Sequence, residues 1–280
     1  VPFGLIPERA ACRAAAQRRK LVMKIVVLGG TGLIGRTAVR QLAQRGHRAV
    51  AASPTTGVNT VTRIGLMEAL EGAEVVVDLT DSPSYDADAA LEYFERSTRN
   101  LLRAEMLCGV RHHVALSIVG ADRLRDSGYM QAKVAQESLV RAGSVPYTVL
   151  HSTQSFEAMR PIADGATFGD TVSVSPALVQ PVAADDIAAT LATLADRPAQ
   201  DATYELAGPD RLRLVDLVAD VLAAQHDRRR VVAAADAPYF GSVLDETTLL
   251  ASDDAMIGST HFADWLHDTV GAPPTASLRA

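Results

Sequence analysis

The stretch that decides the fold is Lys24-Ile25-Val26-Val27-Leu28-Gly29-Gly30-Thr31-Gly32-Leu33-Ile34-Gly35. Its first five residues make a short apolar run of strand length, ended by glycine. From Leu33 the apolar residues recur at helical spacing to about Arg45, and Gly46 stops the pattern. Glycines at 29, 32 and 35 therefore stand in a G-x-x-G-x-x-G spacing between a strand and a helix. Each has its own use: Gly29 permits a tight turn, Gly32 lets phosphates approach the backbone, and Gly35 lets helix and strand pack closely. The helix N-terminus adds amide donors and positive dipole. A glycine pattern by itself is weak, but in this context it points to a nicotinamide dinucleotide.

Outward from that turn, the alternation of strand and helix continues. Strands are expected at 24–28, 48–52, 74–79, 113–118 and 147–151, and helices at 33–45, 65–70, 87–108 and 129–142. Counted as six alternations, they place Ser117 on a fifth strand and the run before His151 on a sixth. The strand runs are continuously apolar, as in a parallel sheet covered on both faces. The expected fold class is α/β, a Rossmann-like doubly wound parallel sheet with a small C-terminal substrate lobe. Residues 23–152 form the NAD(P)-binding core. Residues 153–280 form mainly the lobe, with some segments returning to the core. There, 154–168 reads as irregular or helical, 187–196 as a helix capped by Asp185 and Asp186, 203–206 as a strand, 215–224 as a helix and 262–266 as a helical turn.

Composition narrows the function. Of 280 residues, 48% are apolar and 21% charged, enough for a large core and against global disorder. The net charge is −6 and no basic stripe runs through the chain, which argues against nucleic acid. Residues 1–22 differ: five basic side chains against the single acid Glu8 give a net +4 and leave −10 on the remainder. They read as a disordered or non-native extension before Met23. Cys12 lies in that extension, and Cys108 reads as a small buried hydrophobe, so no disulfide framework or zinc spacing is expected. No apolar run reaches membrane-spanning length. A cytoplasmic protein, monomer or homodimer, acting on a small molecule without nucleic acid or membrane, is the expectation. Adjacent His112 and His113 point to opposite faces of a strand, so no metal is expected.

The second strand should end with a residue that reads the adenosine ribose. Ala51-Ala52-Ser53-Pro54-Thr55 holds neither the acid that favours NAD nor an arginine for a 2′-phosphate. NADP(H) is favoured, with NAD(H) as the alternative. Ser53 and Thr55 are hydrogen-bond donors to the ribose, and Arg36 reads as a solvated helix residue that also lies within reach.

Tyr129 and Lys133 stand one helical turn apart and share a face. Ser117 lies twelve residues before Tyr129, at the strand edge where open α/β sheets bind ligands. The expected chemistry is proton transfer coupled to hydride transfer. Tyr129 is the proton donor or acceptor, Lys133 lowers its pKa and holds the nicotinamide ribose, and Ser117 polarises a carbonyl oxygen.

Here the chain resembles the short-chain dehydrogenase/reductase superfamily, in its atypical, NmrA-like, NAD(P)-binding branch. The resemblance rests on G-G-T-G-L-I-G at 29–35, S-T-R-N-L-L at 97–102, G-V-R-H-H-V-A-L-S-I-V-G at 109–120, S-G-Y-M-Q-A-K at 127–133, V-P-Y-T-V-L-H-S-T-Q at 145–154, Q-P-V-A-A-D-D-I-A at 180–188 and Y-E-L-A-G-P at 204–209. It implies Tyr129 and Lys133 as the active-site pair. It implies a cofactor held by Gly29, Thr31, Gly32, Leu33, Ile34, Gly35, Ser53, Leu79, Thr80, Lys133 and Thr153. The family's hydroxyl falls at or just beyond Ser117, where Ile118 and Val119 stand. His151 occupies a place where many relatives carry arginine, and with Tyr85, Pro83, Gln154 and Phe156 it is a substrate-cleft candidate. An oxidoreductase acting on a small carbonyl, enone or quinone-like substrate is expected. The alternatives are a non-catalytic NAD(P)-sensing regulator and, less favoured, a sugar-nucleotide epimerase or dehydratase.

Overall fold

A computed structural model describes residues 22–270 of the chain. The expectations for residues 1–21, Cys12 among them, lie outside the described residues.

The apolar run after Met23 forms β1 (Lys24–Leu28), and its last four residues are buried. A strand with no wet face needs cover on both sides, and the rest of the sheet follows the same rule. β2 (Arg48–Ala52) pairs on one side of β1, and β3 (Val75–Asp78) on the other, where all four residues are buried. β4 (His112–Ile118) and β5 (Tyr147–Ser152) follow, then the strands Ala202–Ala207 and Met256–Ile257. All seven run parallel in the order β2-β1-β3-β4-β5, Ala202–Ala207, Met256–Ile257. The order reverses at β1, so the crevice at the carboxyl ends of β1 and β3 is the place for a ligand.

Ser117 and His151 therefore stand on the fourth and fifth strands, not the fifth and sixth. The polar stretch after Ala52 makes a 3-10 turn, Pro54–Thr56, and no further strand lies between β2 and β3.

Helices cover both faces. α1 (Leu33–Gln44) packs against the helix Ala184–Ala195 on one face. α2 (Leu66–Leu70), α3 (Ala87–Cys108) and α4 (Gly128–Ala142) cover the other, with α3 and α4 in long contact. The limits of α3 come from its ends. Asp86 accepts the Ala89 amide at 3.1 Å, and Gly109 closes the helix at φ 73°. Cys108, at that end, is half-buried rather than core. His112 and His113 part as expected, one to the Thr148 hydroxyl at 2.9 Å and the other to the buried Glu105 carboxyl at 2.8 Å.

Beyond β5 the chain builds a lobe over the sheet edge. Met159–Gly165 and Leu214–Ala224 are helical. Thr171–Val174 pairs with Thr167–Phe168 and with Arg230–Ala233, and Pro238–Tyr239 turns back on Ser242–Val243. The helix expected at 187–196 begins at Ala184, and no side chain caps it. Asp186 does not cap: its carboxylate accepts the Ser259 hydroxyl at 3.1 Å and the Thr260 amide at 2.9 Å. It thereby ties the chain after Met256–Ile257 to this helix.

Candidate active-site cleft

The glycine turn comes first because backbone sets its geometry. Gly29 holds φ +71°, and a Cβ there would sit 2.5 Å from the Leu79 carbonyl oxygen. A Cβ on Gly35 would strike the carbonyl of Gly29, so this glycine serves the closure of the turn itself rather than the approach of helix to strand. Gly32 is exposed and caps α1 without any side-chain hydrogen bond. The first amides of α1 thus meet the cleft, as a dinucleotide diphosphate requires. The residues present fit that group.

A cleft of about 660 Å³ opens from this turn towards the lobe. Gly29, Gly32, Leu33, Ile34 and Gly35 line one end, Leu79 and Thr80 follow, and Thr153 stands beyond them. The Thr153 hydroxyl donates to the Gln180 carbonyl at 2.6 Å, so it ties the sheet edge to the lobe. Thr31 and Ser53 lie at the outer end of β2. The Thr31 hydroxyl donates to Ser53 at 3.0 Å, and Ser53 pairs with Thr55 at 2.8 Å. The three hydroxyls form one hydrogen-bonded cluster, and Arg36 on α1 is exposed.

Tyr129 and Lys133 both line the cleft from α4. Ser127 starts this helix by accepting the Met130 amide, which sets the helical phase of both side chains. The Tyr129 hydroxyl donates to Asp81 at 2.7 Å. Burial, and then the Asp81 carboxylate, push the phenol well above its ordinary range. Asp81, rather than Lys133, is the charged group that meets the Tyr129 hydroxyl. Lys133 is 4% exposed, and its ammonium donates to the Leu116 carbonyl at 3.0 Å and to Gln136 at 2.6 Å, 4.8 Å from the Phe94 ring centre. Gln136 in turn donates to Asp78 at 3.1 Å. Burial pulls the lysine pKa down, against the opposing pull of Asp81, Asp78 and Glu137.

Ser117 borders the cleft, but its hydroxyl donates to Glu137 on α4. That contact takes it away from a substrate carbonyl, which corrects its expected role. Glu137 also lies 2.7 Å from Arg141 and 3.0 Å from His151. His151 opens into a separate polar groove with Arg123 and Glu205, not into the cleft. The alternation of β5 decides this, because His151 and Ser152 point to opposite faces. Phe156 is 1% exposed and packs against both Phe262 and Trp265, which stack on each other, so it is core rather than cleft wall. Pro83 is exposed and lies off the cleft lining. Tyr85 and Gln154 do line the cleft.

Three cleft residues went unread in the sequence. Asp81 stands just past the strand end where Leu79 and Thr80 were read. Tyr239 and Phe240 sit in a segment without periodicity. Phe240 stacks on Tyr129 with ring centres 5.6 Å apart, and Tyr85 meets both rings edge-on at 5.1 and 5.2 Å. Among the described residues no helix is long and apolar enough to cross a membrane.

No known family's sequence profile matches the chain. A stretch of 142 residues, 46% of the chain, is 27% identical to the photosystem II assembly factor Ycf39 of Synechocystis, and spans 44% of that protein. Solved structures match more widely. A dTDP-4-dehydrorhamnose reductase from Clostridium acetobutylicum is 16% identical, covers 89% of this chain and all of its own, and has a TM-score of 0.66. A short-chain dehydrogenase/reductase superfamily protein from Agrobacterium tumefaciens with bound NAD is 17% identical, with 88% and 96% covered and a TM-score of 0.65. An NADPH-dependent quinone oxidoreductase from Escherichia coli, complexed with NADPH, is 17% identical, with 88% and 99% covered and a TM-score of 0.61. The fold is the Rossmann-like fold shared by these solved structures.

Proposed function

We propose that this chain, built on the fold of the short-chain dehydrogenase/reductase structures, is an NAD(P)H-dependent oxidoreductase of the NmrA-like branch acting on a small carbonyl, enone or quinone-like compound. One observation carries the reading. Tyr129 and Lys133 stand in the same cleft as a glycine turn whose helix end is left uncapped.

The glycine turn would hold the diphosphate, and Lys133 the nicotinamide ribose. A bound nicotinamide supplies the hydride. Tyr129 supplies the proton to the substrate oxygen. Its raised pKa keeps the phenol protonated, and a neutral phenol is a proton donor to a forming alkoxide of still higher basicity. To act, the hydroxyl leaves its bond to Asp81 and turns to the substrate. The phenolate left behind is disfavoured beside a carboxylate, so it takes a proton back through the exposed Asp81 edge of the cleft. Lys133 is fixed by Leu116 and Gln136, so it positions rather than exchanges protons. The absence of an acid in the stretch 51–55 after β2, together with the Thr31–Ser53–Thr55 hydroxyls, supports NADPH over NADH.

The test is a titration of the protein with NADPH and with NADH, read by nicotinamide fluorescence. NADPH should bind more tightly. Binding of neither overturns the reading, and tighter NADH binding reverses the cofactor preference.

A further inference from the structure

The substrate end of the cleft is built unlike the cofactor end. Its wall is apolar, formed by Pro161, Ile162, Val174, Leu214, Pro238 and Phe240. Among the described residues that line the whole cleft, Asp81 and Lys133 are the charged ones. Lys133 is buried, two of its three donors go to Leu116 and Gln136, and the third is the one left for the nicotinamide ribose. No arginine or lysine is left to meet a phosphate or carboxylate on a substrate, and the backbone amides at the start of α1 are those the cofactor diphosphate would use. Asp81 faces the same space and repels an anion.

The polar side of the wall is neutral. Gln154 is 7% exposed and lines the cleft; its amide meets the Tyr239 hydroxyl, and the rest of its hydrogen-bonding capacity has no partner among the described residues. A buried amide in this state is worth a hydrogen bond to any ligand that supplies the partner. Beside it, Tyr85 and Phe240 bracket the Tyr129 ring. Phe240 is held at φ 48°, a left-handed conformation that a phenylalanine rarely adopts, and this turns its ring onto Tyr129. Tyr85 is 62% exposed, an apolar face open to a ligand.

We infer that the cleft takes an uncharged substrate with a flat ring, its ring against Tyr85 and Phe240 and its polar group on Gln154 and Tyr129, and that it rejects anions, nucleotide sugars included. This rests on the oxidoreductase reading for the use of the site, but the selection itself is a property of the wall. Flat rings gain from aromatic edges and faces, whereas a phosphate here would lose its hydration with no partner in return.

A pair of ligands of equal size separates the cases. Binding of 2-acetylnaphthalene and of naphthalene-2-sulfonate is measured by calorimetry on the full chain with saturating NADP⁺, and again without it. UDP-glucose is the third ligand. The ketone should bind at least about tenfold more tightly than the sulfonate, and UDP-glucose should bind no better than the sulfonate. Asp81→Asn should shrink the gap, and Ile162→Lys, at a half-buried position, should close or reverse it. Phe240→Ala should weaken the ketone alone. With NADP⁺ bound, equal or tighter binding of the sulfonate or of UDP-glucose by the unaltered protein overturns the inference, and so does no binding of the ketone. NADPH consumption with the ketone is read separately. Selective binding without consumption upholds this inference and counts against the oxidoreductase reading.

Discussion

The two walls of the cleft are made by different means. On the sheet side, backbone does the work: a positive-φ glycine, a turn with no room for a Cβ and an uncapped helix end. On the lobe side, side chains do it: aromatic rings brought together by short strands and a hairpin. The backbone wall tolerates little change because each atom is closed in by main chain that cannot give. The side-chain wall can change its selectivity one residue at a time without losing the fold.

The sharpest way to break that contrast is Gly29→Val. It forces a branched residue into φ +71° against the Leu79 carbonyl, so dinucleotide binding should be lost and stability should fall by about 1–3 kcal/mol or more. Fluorescence titration and thermal melting read both. Retained binding would show that the turn is not the cofactor site. Tyr129→Phe comes next. It should keep dinucleotide binding and lower kcat/KM by about 10²–10⁴. Unchanged turnover would remove the tyrosine from the chemistry.

Two phenylalanines then separate core from wall. Phe156→Ala should cost about 3–5 kcal/mol by leaving a cavity beside Phe262 and Trp265, and this appears as a lower Tm. Phe240→Ala should leave Tm nearly in place and raise KM. The opposite pattern would exchange their roles.

Asp81→Asn tests the electrostatics. In the unaltered protein burial and then Asp81 raise the Tyr129 pKa. Above about pH 10 the unfolded tyrosine ionises and the folded one does not, so this group lowers stability as pH rises past that point. The variant loses the Asp81 contribution and keeps the burial. Its tyrosinate absorbance should therefore appear at lower pH than in the unaltered protein, yet still above the ordinary range. No shift would show that the contact in the structure does not form in solution. The smallest effect is expected from His151→Ala, within about twofold in KM, because His151 opens into the other groove. A large rise in KM would return it to the substrate site.

Much of this was legible beforehand. The bounds 24–28, 48–52 and 87–108 coincide with β1, β2 and α3, because apolar runs and stopping glycines are local signals. Tyr129 and Lys133 were legible for the same reason, since a spacing of four on a helix needs no tertiary knowledge. The failures share a cause of the other kind. Ser117, His151 and Phe156 are polar or aromatic residues near a strand end, and which neighbour each meets depends on another segment: Glu137 for the first two, Phe262 and Trp265 for the third. Asp186 was read as a cap because its helix was visible, while the chain it ties down, at 259–260, was not.

By itself, then, the sequence determined the parallel sheet, its glycine turn and the Tyr129–Lys133 pair. All three rest on spacing within one short stretch, where the backbone periods of 3.6 and 2 leave few choices. Tertiary structure alone decided that Tyr129 faces Asp81, that Ser117 faces Glu137 and that Phe240 closes the substrate wall. These contacts join segments 48, 20 and 111 positions apart. Across such separations side-chain direction is set by packing, which no local pattern encodes.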